Sequence, residues 1–232
     1  MKKVGLIVFV VAVGIGVTVA SFFSWGKGTE SIVNFKVNFG AEKGSGNVAS
    51  ESREVSEFSK IDVSHVFQVE VTAQAEYAIE VEADDNLLQF IKTEVRGDTL
   101  HIELDQRVKT SNPLRVRVSA PNIERIEASG ASRVDVAHLQ NAELAVDTSG
   151  ASKVNVVGET GTLTVDVSGA SQIDLGSLSA ATATIEASGA SRVNVNVTND
   201  LIADASGASR ITYTGSAKVQ KSTSGASSVS QK

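Results

Sequence analysis

The chain has 232 residues, 41% of them hydrophobic, enough for one domain or one domain and a tail. Its net charge is −6, and no Lys/Arg cluster is present to follow a phosphate backbone, which speaks against nucleic acid as a partner. It contains no cysteine, which excludes thiol catalysis, disulfides, thiolate-bound metals and a lipid-modified cysteine.

Lys2 and Lys3 open the chain, and no charge follows from Val4 to Trp25. Residues 1–25 therefore read as a targeting segment. Thr18 and Ala20 are small enough to precede signal-peptide cleavage after Ala20, and the apolar run also approaches the ~20 residues that span a bilayer. The basic start stays cytoplasmic in either case. The remainder is then exported to the periplasm, the outer envelope or beyond, with membrane contact only through this segment if it is retained.

Residues 26–58, rich in Gly, Ser, Glu and Lys, read as a spacer with one alternating piece, Phe35–Phe39, that suits an edge strand. From residue 59 onward the pattern predicts a folded domain. Ile61–Val71 places Ser64 with an Asp two residues before it and Val69 and Val71 five and seven after it. Strands are expected at Tyr77–Val81, Thr99–Leu104 and Leu114–Ser119. Between them Leu87, Leu88, Ile91 and Val95 fall at helical spacing behind Asp84, a good N-cap residue, and predict a short helix. Arg96-Gly97-Asp98, a potential adhesion tripeptide, lies where a turn is expected and reads as turn chemistry.

The second half is built on one phrase. Ser-Gly-Ala-Ser begins at Ser129, Ser149, Ser168, Ser188, Ser206 and Ser224, at steps of 20, 19, 20, 18 and 18 residues. A step of this length is the mark of a solenoid in which each repeat makes one turn. Apolar residues recur three before the first Ser (Ile126, Val146, Val165, Ile185, Ala203) and five and seven after it (from Val134/Val136 to Ile211/Tyr213). This alternation predicts strands with one buried face. Gly130, Gly150, Gly169, Gly189, Gly207 and Gly225 then form the corners. Turns of ~18–20 residues are too short for a βαβ unit, which needs ~30, and neither leucine-rich nor hexapeptide phrases occur. The expectation is an all-β fold, a right-handed parallel β-helix with one short helix near its N-terminal end. Ser64 would begin a degenerate copy, and the polar stretch after Ser224 would be a cap.

Polar columns emerge from the same alignment. Glu127, Asp147, Asp166, Glu186 and Asp204 stand two before the first Ser. Arg133, Lys153, Arg192 and Arg210 stand four after it, with Gln172 at the same place in the third copy. Asp135, Asn155, Asp174 and Asn194 follow two further on. Stacked ~4.8 Å apart, like charges repel by about 1 kcal/mol per neighbour in a water-like dielectric. A basic ladder brought across the corner would offset this. The arrangement reads as a solvated ladder surface or a strip for a ligand; the Gly-Gly-x-Gly-x-Asp phrase of calcium β-rolls is absent.

Signals of chemistry are few. His65, His101 and His138 stand singly, without ligand spacing, and no serine sits in a Gly-x-Ser-x-Gly elbow. Acids that recur once per turn describe a scaffold rather than a unique site, and no motif points to a metal or a cofactor.

The run from Phe58 through Leu104, with its Ile-Asp-Val-Ser, Glu-Ala-Asp-Asp-Asn-Leu-Leu and Ile-Lys-Thr-Glu-Val phrases, followed by Ser-Gly-Ala-Ser turns, resembles the head GIN domain family. These bacterial envelope proteins are described as putative autotransporter adhesins. The resemblance covers about residues 47–231 and implies a right-handed β-helix outside the cytoplasm with an adhesin role; it supplies no catalytic residues. The leading expectation is a non-enzymatic, exported β-helix that meets a protein or glycan at the envelope. A carbohydrate-active lyase or hydrolase, and a structural subunit that associates through its solenoid ends, are the competing readings.

Overall fold

Stacking of the six Ser-Gly-Ala-Ser corners organises the computed structural model, which describes residues 8–12, 17–21, 40–74 and 76–232. The chain divides into two units, residues 1–41 and 42–232. In the first, β1 (Val8–Ala12) and β2 (Val17–Ser21) pair antiparallel. The rest of the expected targeting segment and the Phe35–Phe39 piece lie outside the described residues. Among the described residues no helix is long and apolar enough to cross a membrane.

The second unit begins with β3 (Glu42–Lys43) and β4 (Val48–Arg53), so part of the stretch whose composition suggests a spacer is paired into sheets. Next come β5 (Lys60–Val63), β6 (Phe67–Ala73) and β7 (Ala78–Asp84). These are followed by β8 (Ile91–Arg96), β9 (Thr99–Leu104), β10 (Val108–Lys109), β11 (Leu114–Ala120) and β12 (Arg125–Ala128). Four long strands, β13 (Arg133–Thr148), β14 (Lys153–Val167), β15 (Gln172–Ala187) and β16 (Arg192–Ala205), carry the repeats. The stack finishes with β17 (Arg210–Thr214), β18 (Lys218–Thr223) and β19 (Ser228–Gln231).

Parallel pairing that returns to the same register on either side of each corner makes this a β-solenoid of about five turns. Each long strand serves two faces. Its first half lies on one face, it bends, and its second half lies on the other face before the next corner. Val134, Val154, Ile173, Val193 and Ile211 form one buried column, and Ile126, Val146, Val165, Ile185 and Ala203 form another. The alternation seen in the sequence therefore points inward at the expected positions.

The uneven repeat length is absorbed at the bends. Between β13 and β14 the register shifts after Val136, where β13 has one residue more before Leu139 meets Gly158. That extra residue is accommodated at His138, which adopts a positive φ of 62°. At the opposite corner nothing varies. The six corner glycines all have φ between 71° and 77°, and each following Ala amide donates to the carbonyl oxygen at the equivalent position one turn back, as Ala151 does to Gly130 at 2.8 Å. The fourth residue of the phrase is buried in the first five copies, and in all six its hydroxyl donates to the carbonyl of the first, from Ser132 to Ser129 at 3.1 Å through Ser227 to Ser224 at 2.8 Å.

The degenerate copy stacks as its pattern suggests. Ile61, Asp62 and Val63 pair with Ile126, Glu127 and Ala128, and His65 occupies the glycine column with φ 72°. The layer order is less simple. β9 and β11 form a layer beneath β5 and β6, although they follow them in sequence. The chain then steps over that layer at residues 121–124 and resumes above it with β12.

The expected helix over residues 84–95 does not form. A single 3-10 turn, Leu88–Phe90, is followed by β8, which pairs antiparallel with β9 through a hairpin at Gly97. Ile91, Thr93 and Val95 also alternate with period two, and their partners Leu104, Ile102 and Leu100 offer an apolar surface to a strand. Asp84 does not cap a helix; it accepts hydrogen bonds from Thr110 and Asn112. The Arg96-Gly97-Asp98 turn is tied down by ion pairs, Arg96 to Glu94 and Glu103, and Asp98 to Lys60.

Candidate functional site

The solenoid carries its polar residues in columns because strand pairing repeats the same outward position in every layer. Glu127, Asp147, Asp166, Glu186 and Asp204 are register partners in that order along one face. Asp62 and His101 continue the column below Glu127, with the His101 Nδ1 3.0 Å from Asp62 Oδ2. Ser222 ends it above Asp204. On the neighbouring face Arg133, Lys153, Gln172, Arg192 and Arg210 are register partners, and Asp135, Asn155, Asp174 and Asn194 run beside them.

Within each layer the acid and the base stand on either side of the corner. Among the described residues no ion pair crosses it. The acidic column takes its compensation from its own face: Arg125 reaches Glu127 at 2.7 Å and Asp147 at 2.7 Å. Burial pushes the Asp147 carboxyl above its usual range; Arg125 works against this, while Glu127 and Asp166 reinforce it. On the second face Arg133 pairs with Asp135 at 2.6 Å along the same strand. The expectation that the basic ladder offsets the acidic one across the corner is thus not met. The Ser-Gly-Ala-Ser turn separates the half-strand that carries the acid from the half-strand that carries the base.

Asp166, Glu186 and Asp204 line a shallow hollow of about 220 Å³ with Ser188, Ser206 and Ser222. A wider cleft of about 690 Å³ lies near the N-terminal end, among Ser52, Val55, Glu70, Tyr77, Glu80 and Arg117. Arg117 pairs there with Glu80 at 2.9 Å and with Glu70 at 3.5 Å. Its residues come from β4, β6, β7 and β11 and from the segments that adjoin them, and the order of these strands in space differs from their order in sequence, so periodicity carries no signal for it. Among the described residues no three His, Asp or Glu side chains converge as a metal ion requires.

Comparison with curated proteins finds no match. Solved structures give clear likenesses of fold. A protein from Bacteroides fragilis named a putative adhesin is 21% identical, with a TM-score of 0.66, over 82% of this chain and 98% of that one. A putative adhesin from Parabacteroides distasonis is 20% identical, with a TM-score of 0.59, over 83% and 100% of the two chains. One from Parabacteroides merdae is 17% identical, with a TM-score of 0.53, over 82% and 98%. A family model described as "Putative auto-transporter adhesin, head GIN domain" matches residues 57–217, where the degenerate copy and five of the six Ser-Gly-Ala-Ser phrases lie, and the chain belongs to that family.

Proposed function

We propose that this protein is a non-enzymatic, exported β-solenoid that acts as an adhesin or envelope interaction domain, with its ladder surface as the binding element. The observation that carries the reading is the in-register array of outward-facing, mostly charged side chains from Glu127 to Asp204 and from Arg133 to Arg210. Such an array offers equivalent contacts layer after layer, which suits a repetitive partner such as a glycan or an extended protein. Multiple weak contacts of this kind gain strength together. Family membership and the names of the structural relatives support the adhesin reading. The basic start and uncharged run of residues 1–25 support export.

Protease shaving of intact host cells, with mass determination of the N-terminus, tests the proposal. Surface exposure of the repeats and cleavage after Ala20, or retention of an uncut segment, agree with it. Complete protection of the repeats behind the outer membrane removes the adhesin role, and recovery in the cytoplasm removes export as well.

A further inference from the structure

Charge compensation is uneven along the solenoid axis. Toward the N-terminal end the cations on the two column-bearing faces are paired: Lys60 with Asp98 at 2.9 Å, Arg125 with Glu127 and Asp147, and Arg133 with Asp135. Toward the C-terminal end this stops. Among the described residues no ion pair involves Asp166, Glu186 or Asp204 on one face, or Lys153, Arg192 or Arg210 on the next, although all six are exposed. Glu186 and Asp204 are register neighbours, as are Arg192 and Arg210. Like charges are therefore stacked at the strand spacing with no internal partner.

We infer that this region is a side-to-side docking surface for a second copy of this chain, with the acidic column of one molecule receiving the basic column of the next. The same layers carry both columns, so their axial spacing is identical. With the two solenoids parallel and unshifted, Glu186 meets Arg192, Asp204 meets Arg210, and Asp166 meets Gln172. Ile202, 45% exposed and two residues from Asp204 on the same outward face, supplies an apolar contact. The two surfaces differ, so the contact is heterologous, and an open assembly of any length keeps one free face of each sign.

Two other occupants fit less well. A polyanion longer than the two rungs at Arg192 and Arg210 would run on past the uncharged Gln172 and meet Asp174 and Asp135 in the column beside it. Stacking through the ends meets Lys221, which continues the inward column above Ala203 in the last layer and donates from Nζ to the Val229 carbonyl at 3.3 Å. An inward-pointing charge at a sheet end is a device against pairing. Exposed ion pairs contribute little individually and are screened by salt, so the association belongs to high protein concentration and low ionic strength.

The test is sedimentation velocity of the full chain in a mild non-ionic detergent, across a concentration series at about 20 mM and about 300 mM salt. Four samples are compared: the natural chain, R192E/R210E, E186K/D204K, and an equimolar mixture of the two variants. All substitutions are outward, and circular dichroism checks that the strands are retained. The natural chain is expected to show concentration-dependent association at low salt that high salt abolishes. Each variant alone presents two faces of one sign and loses it, and the mixture regains it. Association common to all samples and insensitive to salt, a natural chain that stays monomeric, or a mixture that fails to recover overturns the inference. Unchanged sedimentation, together with retention on dextran sulfate of the natural chain and E186K/D204K but not of R192E/R210E, overturns the inference and assigns the basic column to a polyanion instead. The outcome is independent of cell-surface exposure, which is read by protease shaving.

Discussion

Gly150 lies so close above Gly130 that a Cβ at Gly150 would stand 2.5 Å from the Gly130 carbonyl oxygen. The same relation recurs up the corner column, and every glycine in it has a left-handed backbone. Gly150→Ala therefore combines backbone strain with a contact that neither layer can relieve by moving a side chain. It should destabilise by about 3 kcal/mol or more, read as a fall in denaturation midpoint. His65 sits at the foot of this column with the same backbone angle, but β9 beneath it runs straight on to Leu104 without a corresponding turn. His65→Gly should be neutral or stabilising by up to about 1 kcal/mol. A gain from His65→Gly as large as the loss from Gly150→Ala would show that backbone angle alone, and not stacking, restricts the column.

Val154 is buried between Val134 and Ile173, with 2% of its surface exposed. Val154→Asp places an unpaired charge inside the stack and should cost several kcal/mol, at least about 3. Ser152→Ala removes one hydroxyl that donates to Ser149 O at 3.0 Å and lies 3.3 Å from the Ser132 hydroxyl. Its cost should be about 1 kcal/mol. Chemical denaturation of both variants checks the order; a milder Val154→Asp would mean that this column faces solvent.

Arg53 closes the N-terminal end of the solenoid. Its guanidinium donates to the carbonyls of Ile91 at 2.6 Å and Leu88 at 2.9 Å, joining β4 on one face to the start of β8 on the other. Arg53→Met keeps much of the packing and loses these charge-assisted bonds, at a cost of about 2 kcal/mol. Hydrogen exchange should accelerate in β8 and β4 while the amides of β14 and β15 stay protected. Uniform acceleration would mean that the end layers unfold together with the repeats.

Asp84, 1% exposed, ties the loop at Gly44–Asn47 to the loop at Thr110–Asn112. The Thr110 hydroxyl, the Asn112 amide and the Gly46 backbone hold its carboxyl below the usual carboxylate range, against the opposing effect of burial. A lowered folded pKa gives stability that is present above the unfolded value, about 4. That stability is lost as the pH falls through the folded value. Melting curves of the natural chain and Asp84→Asn should therefore differ most near neutral pH and converge in acid. A difference that is constant with pH would assign the effect to geometry alone.

The repeat layers were legible in the sequence because each layer poses the same physical problem and solves it with the same residues. An alternating strand, a left-handed glycine and a small buried Ser fix which side chain faces in, so the column of Glu127 and that of Arg133 follow directly. Even Ser64 was readable, since Val69 and Val71 keep the spacing although Phe67 replaces the buried Ser. Where the repeats stop, local pattern loses its hold. Ile91 and Val95 satisfy helical and strand spacing equally, and only Leu100 and Ile102 across the hairpin decide between them. The placement of β9 and β11 beneath an earlier layer, and the wide cleft at Tyr77 and Arg117, depend on contacts between distant segments that periodicity does not encode. The corner misled differently: six residues separate Glu186 from Arg192, but the turn sends the two side chains to different faces.

The bends that absorb one or two extra residues have a consequence for how such a protein changes over generations. A duplicated stretch from one corner Ser to the next can enter the stack between existing layers, carrying its own glycine, buried Ser, acid and base. Each duplication lengthens the molecule by one strand spacing, about 4.8 Å, and adds one rung to every column. Imprecise duplication is tolerated, because length errors collect at the bend and leave the corner unchanged. Reach and the number of contact points then become heritable quantities that vary in whole steps, while both specialised ends stay as they are.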